Sequence, residues 1–386
     1  MDSNAVLVEY DVLSPFGRGL DPLWRALLER RSAFADIPRF DTTAFACRQA
    51  ALVPNGTEAV VPEREPLDGD SLVIRMLRRL LPPATPFPAD TLLLLATTVG
   101  EIDELEHDAL VGGSDPLAGA PERLLERARA LCGLTGPARL VSAACASSTV
   151  ALAEAASMIR AGECEAALVV ACDAVTEFVF SGFSTLMALD PDGARPFDVR
   201  RKGLMLGEAA TWALVMSEQR ARRERRPIAA TIAGYGASND ANHMTGPSRD
   251  GAGLARAIRQ ALRSAGQTPD AIAAIHAHGT GTAYNDAMEM KAFRAVFHDK
   301  PRPVFSVKGA VGHTLGAAGL LETLVALRCL EEHTVPPTVG LEQPDPLALG
   351  WVSDQAVPLT NGRALLTTNS GFGGINAALI LQTENR

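Results

Sequence analysis

ARLVSAACASSTVALAEAASM, residues 138–158, is the stretch on which the fold turns. Leu140 and Val141 close a short apolar run, small residues follow, and an Ala-rich segment of helical propensity begins around Cys145. The same order of strand, small-residue turn and helix recurs at 303–327, PVFSVKGAVGHTLGAAGLLETLVAL. DTLLLLATTVGEIDELEH (90–107) likewise matches DAIAAIHAHGTGTAYNDAMEM (270–290), and EAALVVACDA (165–174) matches RALLTTNSGF (363–372). Three matches in one order predict a duplicated chain with halves at 1–226 and 227–386. Each half alternates strands and helices, so the expected class is α/β, with sheets buried on both faces.

The rest of the chain fits that plan. Its 386 residues, 47% hydrophobic, suffice for one large core or two packed half-domains. No apolar run is long enough to cross a bilayer, and MDSNAVLVEYD lacks the basic start and apolar stretch of a signal peptide, so cytoplasmic residence is the expectation. Six cysteines without a Cys-x-x-Cys pair argue against a disulfide framework and a zinc ribbon; Cys47, Cys132, Cys164, Cys172 and Cys329 read as packing residues. A net charge of −9 disfavours nucleic acid. Two local basic runs, Arg200-Arg201-Lys202 and the Arg-rich 220–226, are either docking points for an acidic protein or solvated faces.

Strands are expected at 5–10, 91–96, 138–141, 166–171 and 210–216, and helices at 70–81 and 120–132. Asp21-Pro22 predicts an N-cap and first-turn proline for a helix to about Arg31. The proline-rich 82–90 stops the helix before it. Residues 176–202, with Phe178, Phe180 and Phe183, read as loops and short turns.

Chemistry gathers at the repeated turns. Cys145 at a helix start faces unpaired N–H groups and the positive end of the dipole, which favour a thiolate nucleophile; a packed core cysteine is the alternative. The second half places His278 in HGTGT at a strand end, and Lys308 and His313 between strand and helix, with Gly and Ala leaving room for a substrate. His276 and His278 form His-x-His, expected on one strand face, but no third zinc ligand stands out, so no metal is expected.

These stretches resemble the β-ketoacyl-acyl carrier protein synthases of the elongating, Cys-His-His type, in the thiolase-like superfamily. The matching residues are AACASS around Cys145, AHGTGTAYND around His278, VKGAVGHTLGAAG around Lys308 and His313, and NSGFGGIN near the C-terminus, with ARPFD and LGEAA between them. The resemblance implies a thiolase-like fold with duplicated halves in αβαβα layers. It implies decarboxylative condensation of a malonyl carrier protein with an acyl group on Cys145, His278 and His313 holding the malonyl carbonyl. By the same resemblance, Lys308 and Glu322 support the histidines, backbone N–H groups of Cys145 and Phe372 form the oxyanion hole, and Phe372 is a gate. Thr280 and Thr282 would hold phosphopantetheine, which arrives on the acyl carrier protein rather than as a resident cofactor. Phe183 and Met187 would belong to the acyl pocket and its entrance.

Ser370 is followed directly by Gly371 and Phe372, where the family commonly has an additional Phe, and 189–195 is short. These departures point away from an ordinary fatty acyl substrate, toward aryl polyene or type II polyketide assembly, with housekeeping fatty-acid elongation as the alternative. A non-catalytic, chain-length-factor-like role is disfavoured by the presence of Cys145, His278 and His313, and a degradative thiolase by the lack of a cysteine in NSGFGGIN. The expected assembly is a homodimer, or a heterodimer with a chain-length-factor-like homologue.

Overall fold

A computed structural model describes residues 4–54, 70–81, 87–298, 300–360 and 362–383; the helix-stopping prolines at 82–86 lie outside the described residues. The duplication expected from sequence is written into the sheet. Running outward from the centre, the first half orders its strands Ala5–Ser14, Ala209–Ser217, Ala166–Asp173, Leu92–Ala96 and Ala138–Val141. The second half repeats the order with Ala230–Asn239, Ile375–Gln382, Ala364–Gly371, Ile272–His276 and Val304–Phe305. Both halves are antiparallel near the centre and parallel at the outer edge. They join where Val6 and Leu7 pair with Thr231 and Ala230.

Strand periodicity sorts the residues into layers, because alternate side chains point to opposite faces. Ala167, Val169 and Ala171 pack inward with Ala151, Leu152, Leu320 and Leu324, whereas Leu168, Val170 and Cys172 pack outward with Val73, Leu77, Leu124 and Ala128. In the second half Leu365 and Leu379 face inward, and Leu366 and Ile380 meet Leu254, Ile258 and Phe293 outside. The helices Ser147–Arg160 and Ala318–Glu331 thus fill the middle of an αβαβα arrangement. Their close approach depends on Gly319, where an added Cβ would stand 2.0 Å from Thr149 Oγ1.

Two local expectations need correction. The first helix is Leu20–Leu28 with Gly19 at the cap; Asp21 lies inside its first turn, where a carboxylate still favours the helix dipole. Residues 176–202 are not all loop, because Glu177–Thr185 is a helix capped by the Thr176 hydroxyl, which accepts from Val179 N–H at 3.3 Å. Gly182 and three phenylalanines give this segment weak intrinsic propensity, and tertiary packing of Phe180 against Phe40 and Phe45 overrides it.

Candidate active site

The nucleophile turn is strained and held. Ala144 adopts φ 49°, a conformation costly for a residue with a Cβ, directly before Cys145. Ser147 staples the turn: its hydroxyl donates to Ala144 O at 2.6 Å and accepts from Ala143 N–H at 2.9 Å. Thr98 Oγ1 also donates to Ala144 O, at 3.3 Å. The second half repeats the geometry, with Leu315 at φ 52° three residues before its own helix, and Gly316 standing where the first half has Cys145. Asp173, buried at the end of an apolar strand, ties the two turns together by accepting from Thr97 Oγ1 (2.7 Å), Thr98 N–H (2.8 Å) and Gly316 N–H (2.7 Å).

Across this junction Cys145, His278 and His313 meet, with one ligand atom from each inside 4.8 Å of the others. The histidine rings stand edge to face, 5.1 Å apart. Burial, then the nearby Lys308 charge, pushes both imidazoles well below the usual histidine range, so both are neutral. Their tautomers follow from their partners. His278 Nδ1 faces two donors, Lys308 Nζ and Asn369 Nδ2, each at 3.3 Å, and therefore accepts. His313 Nδ1 accepts from Leu315 N–H at 3.2 Å. Each ring consequently carries its proton on Nε2.

The support beneath the rings is a buried, fully paired network. Lys308 forms an ion pair with Glu322 and donates to His278 O at 2.5 Å. Glu322 also accepts from Asn369 Nδ2 at 2.7 Å, and Asn369 Oδ1 accepts from Thr149 Oγ1 at 2.5 Å. Glu289 holds the His278 loop by accepting from the N–H groups of His278 and Gly279, both at 2.7 Å. Burial, with Asp286 adding to it, pushes that carboxyl up to about 8.

Lys308 and Glu322 were named from sequence; Asn369, Asp173, Glu289 and Ser147 were not. Asn369 lay within a motif already noted, and a carboxylate ending an apolar strand or inside a buried helix was the available signal for Asp173 and Glu289, since buried charges need partners. His276 does not join the group. Its Nδ1 lies 3.1 Å from Ala277 O and its ring meets Phe305.

A cavity of about 440 Å³ leads from the surface to Cys145, His278 and His313, lined on the way by Thr280, Thr282, Phe183 and Phe372. The Thr280 and Thr282 hydroxyls are 2.9 Å apart. Phe372 stacks on Phe183 at 5.7 Å and 27°. Gly371 brings this strand end against the nucleophile turn, where an added Cβ would be 3.1 Å from both Ala143 O and Cys145 N. Met187 lines the same cavity at its mouth, where its side chain is 88% exposed.

The thiolate expectation also needs correction. Cys145 lies one residue outside the helix Ser147–Arg160 and its cap Ala146, and burial raises its thiol to about 11, against the pull of Lys308 and the Phe372 N–H. Burial thus favours the thiol over the thiolate at rest. Alkylation of Cys145 by iodoacetamide is expected to rise about tenfold per pH unit from about pH 7.5 to about pH 9.5, because the thiolate fraction keeps growing below the raised pKa. A plateau below about pH 8, read by intact mass, would show that the dipole and Lys308 win over burial.

Most members of the two basic runs are paired within the chain. Arg220 bonds Asp90 and Glu224, Arg223 bonds Glu165, and Arg226 bonds Glu9. Arg200 bonds Glu342, Arg201 bonds Asp345, and Lys202 bonds Asp192.

Comparison with known proteins matches residues 105–221 to the N-terminal domain and 229–342 to the C-terminal domain of β-ketoacyl synthase. A Vibrio cholerae 3-oxoacyl-[acyl-carrier-protein] synthase 2 is 30% identical, over 98% of this chain and 99% of its own. A Streptomyces virginiae protein bearing the name polyketide β-ketoacyl synthase 1 is 32% identical over 97% of each chain. Among solved structures, the ishigamide ketosynthase/chain length factor superposes with a TM-score of 0.89 at 32% identity, covering 100% of both chains. A β-ketoacyl synthase from Burkholderia phymatum gives 0.87 at 25% identity, covering 99% of this chain and 100% of the other.

Proposed function

The chain belongs to the β-ketoacyl synthase family, and we propose that it performs decarboxylative condensation between carrier-protein thioesters through Cys145, His278 and His313. The observation that carries this assignment is the meeting of one thiol and two neutral, Nε2-protonated imidazoles at the end of one cavity. Three such atoms would also suit a soft metal ion, but protonated Nε2 atoms are donors, fitted to an oxygen rather than to a cation.

In the first step the Cys145 sulfur attacks an acyl thioester; the S–H proton leaves with the departing pantetheine thiol, so a thioester forms on Cys145 and no net proton is consumed. The tetrahedral oxygen is held by the N–H groups of Cys145 and Phe372, a role supported by the direction of the Phe372 N–H toward the sulfur. In the second step the malonyl thioester oxygen accepts from His278 Nε2–H and His313 Nε2–H. Carbon dioxide leaves, its bonding pair becomes the enolate, and the enolate carbon attacks the Cys145 thioester. That attack forms the C–C bond, and collapse of the tetrahedral intermediate breaks the C–S bond and releases the Cys145 thiolate, which takes up a proton from water. Lys308, Glu322 and Asn369 are positioning residues, since they keep His278 Nδ1 an acceptor. Thr280 and Thr282 would bond the phosphopantetheine arm, which comes with the carrier protein; no resident cofactor enters the scheme.

The same proposal includes an acyl carrier protein as substrate partner and a second chain of this fold as subunit, identical or chain-length-factor-like. The latter is supported by the likeness to the ishigamide ketosynthase/chain length factor, and by exposed Leu110 and Val111 at the end of the helix Ile102–Val111. No helix of the described residues is long and apolar enough to cross a membrane, and six free cysteines support a cytoplasmic setting. Polyketide or aryl polyene assembly is the favoured pathway, supported by the Phe183–Phe372 stack, which offers flat faces to a planar chain; housekeeping elongation is the second reading.

With malonyl and acyl carrier proteins supplied together, intact-mass spectrometry should show a β-ketoacyl carrier protein and faster consumption of conjugated than saturated chains. A firm preference for long saturated chains would sink the specialised pathway, and absence of any condensation product across the panel would sink the reaction itself.

A further inference from the structure

The mouth of the catalytic cavity is apolar. Leu186, Met187 and Tyr284 line it at 50%, 88% and 67% exposure, and Met244 sits at 80% exposure between the cavity-lining His243 and Thr245. Four large apolar side chains held in water around one opening are unusual for a surface without a partner. They are also held in place. Leu186 caps the helix Glu177–Thr185 through its N–H to Gly182 O, and Met244 O accepts from Gly373 N–H at 2.6 Å.

Charge at the rim is muted. Lys202 is bonded to Asp192 at 3.0 Å, and Asp240 accepts from Asn376 Nδ2 and Ser248 N–H, both at 2.9 Å. The Arg249 guanidinium lies over the Tyr284 ring at 5.6 Å, adding a cation to the aromatic edge of the collar. Most arginines of the two basic runs are bonded to the chain's own carboxylates, and the net charge is −9, so long-range attraction of an acidic partner is weak. The opening encircled by these residues is the way to Cys145. A thioester tethered to a protein brings that protein against whatever rims the opening.

We propose that Leu186, Met187, Met244 and Tyr284 form a hydrophobic docking collar for the acyl carrier protein, seating apolar side chains around the point where its phosphopantetheine arm leaves the protein. This rests on the carrier-protein reading above, and of the two readings of the basic runs it takes solvated faces rather than docking points. Association by apolar contact resists salt, whereas association by exposed charge does not.

The test uses the full-length synthase and the acylated carrier protein that loads Cys145 fastest in the mass assay. Raising salt from about 50 to about 500 mM should change kcat/KM for loading less than about threefold, because exposed charge pairs are screened over that range and apolar contacts are not. Leu186→Glu and Met244→Glu should each lower carrier-dependent loading about tenfold or more, while Met244→Leu retains it. Octanoyl-pantetheine, which reaches Cys145 without a carrier, should load the Met244 variants, whose side chain does not line the cavity, at the wild-type rate. The collar is overturned if salt alone lowers wild-type loading more than about tenfold. It is equally overturned if the Glu variants load normally from the carrier, or if they instead change the sedimenting species and leave carrier loading intact, which would make the collar a subunit interface. Failure of the wild type with octanoyl-pantetheine as well as with carrier would bring down the catalytic assignment and the collar with it.

Discussion

Cys145→Ala is expected to lose acyl loading by at least about 10⁴-fold while still releasing carbon dioxide from a malonyl carrier protein. The two halves of the reaction are divided between the two halves of the chain. In the proposed reaction the nucleophile belongs to the turn at Ala144, and the malonyl oxygen would be held by His278 and His313, whose tautomers are set by Lys308, Asn369 and Leu315 without any contribution from the sulfur. Alanine in place of a 5%-exposed cysteine removes a small side chain and keeps the turn, because Ser147 and Thr98 hold Ala144 O. Intact mass after incubation with acyl carrier protein should show no adduct, and malonyl-to-acetyl conversion of the carrier should continue. An adduct of wild-type amount on the variant would place the nucleophile elsewhere.

His278→Ala and His313→Ala are expected to slow malonyl decarboxylation by about 10²–10³-fold each, or about 3–4 kcal/mol, the cost of removing one preorganised donor to a developing oxyanion. In the proposed step both rings would donate to the same oxygen, so the double variant should lose less than the product of the single losses. Acyl loading of Cys145 should survive better than decarboxylation in both, since the N–H groups of Cys145 and Phe372 serve that step. His278→Ala carries an added risk to folding, because its backbone is bonded to Glu289 and Lys308. His278→Gln supplies a side-chain donor with less disturbance, and partial recovery there would separate chemistry from structure. Unchanged decarboxylation in both single variants would remove the histidines from the step.

Most of the architecture was legible because it rests on period and repetition. The apolar runs 92–96 and 166–171 could only be buried strands in a covered sheet, and their counterparts at 272–276 and 364–371 shared their neighbours as well as their composition. The helix Glu177–Thr185 was hidden because its stability comes from Phe180 packing among distant aromatics, not from local propensity. Cys145, His278 and His313 were legible as motifs. Asn369 and Asp173 were not, since their roles exist only where the two halves touch.

The arginine runs show the same division. Sequence shows where positive charge is concentrated, but whether that charge is free depends on Asp90, Glu165, Glu342 and Asp345, brought near by folding. Likewise the position of Cys145 beside a helix suggested a stabilised thiolate, whereas burial, known only from the fold, pushes the other way by stripping water from the sulfur. Local pattern, repetition and residue chemistry were therefore determined by the sequence itself: a duplicated α/β chain with one nucleophile turn and two histidine loops. Tertiary structure alone decided which charges cancel, which tautomers the histidines hold, and that the entrance to the site is apolar. Those properties depend on dielectric surroundings and on partners far apart in the chain, which no local stretch encodes.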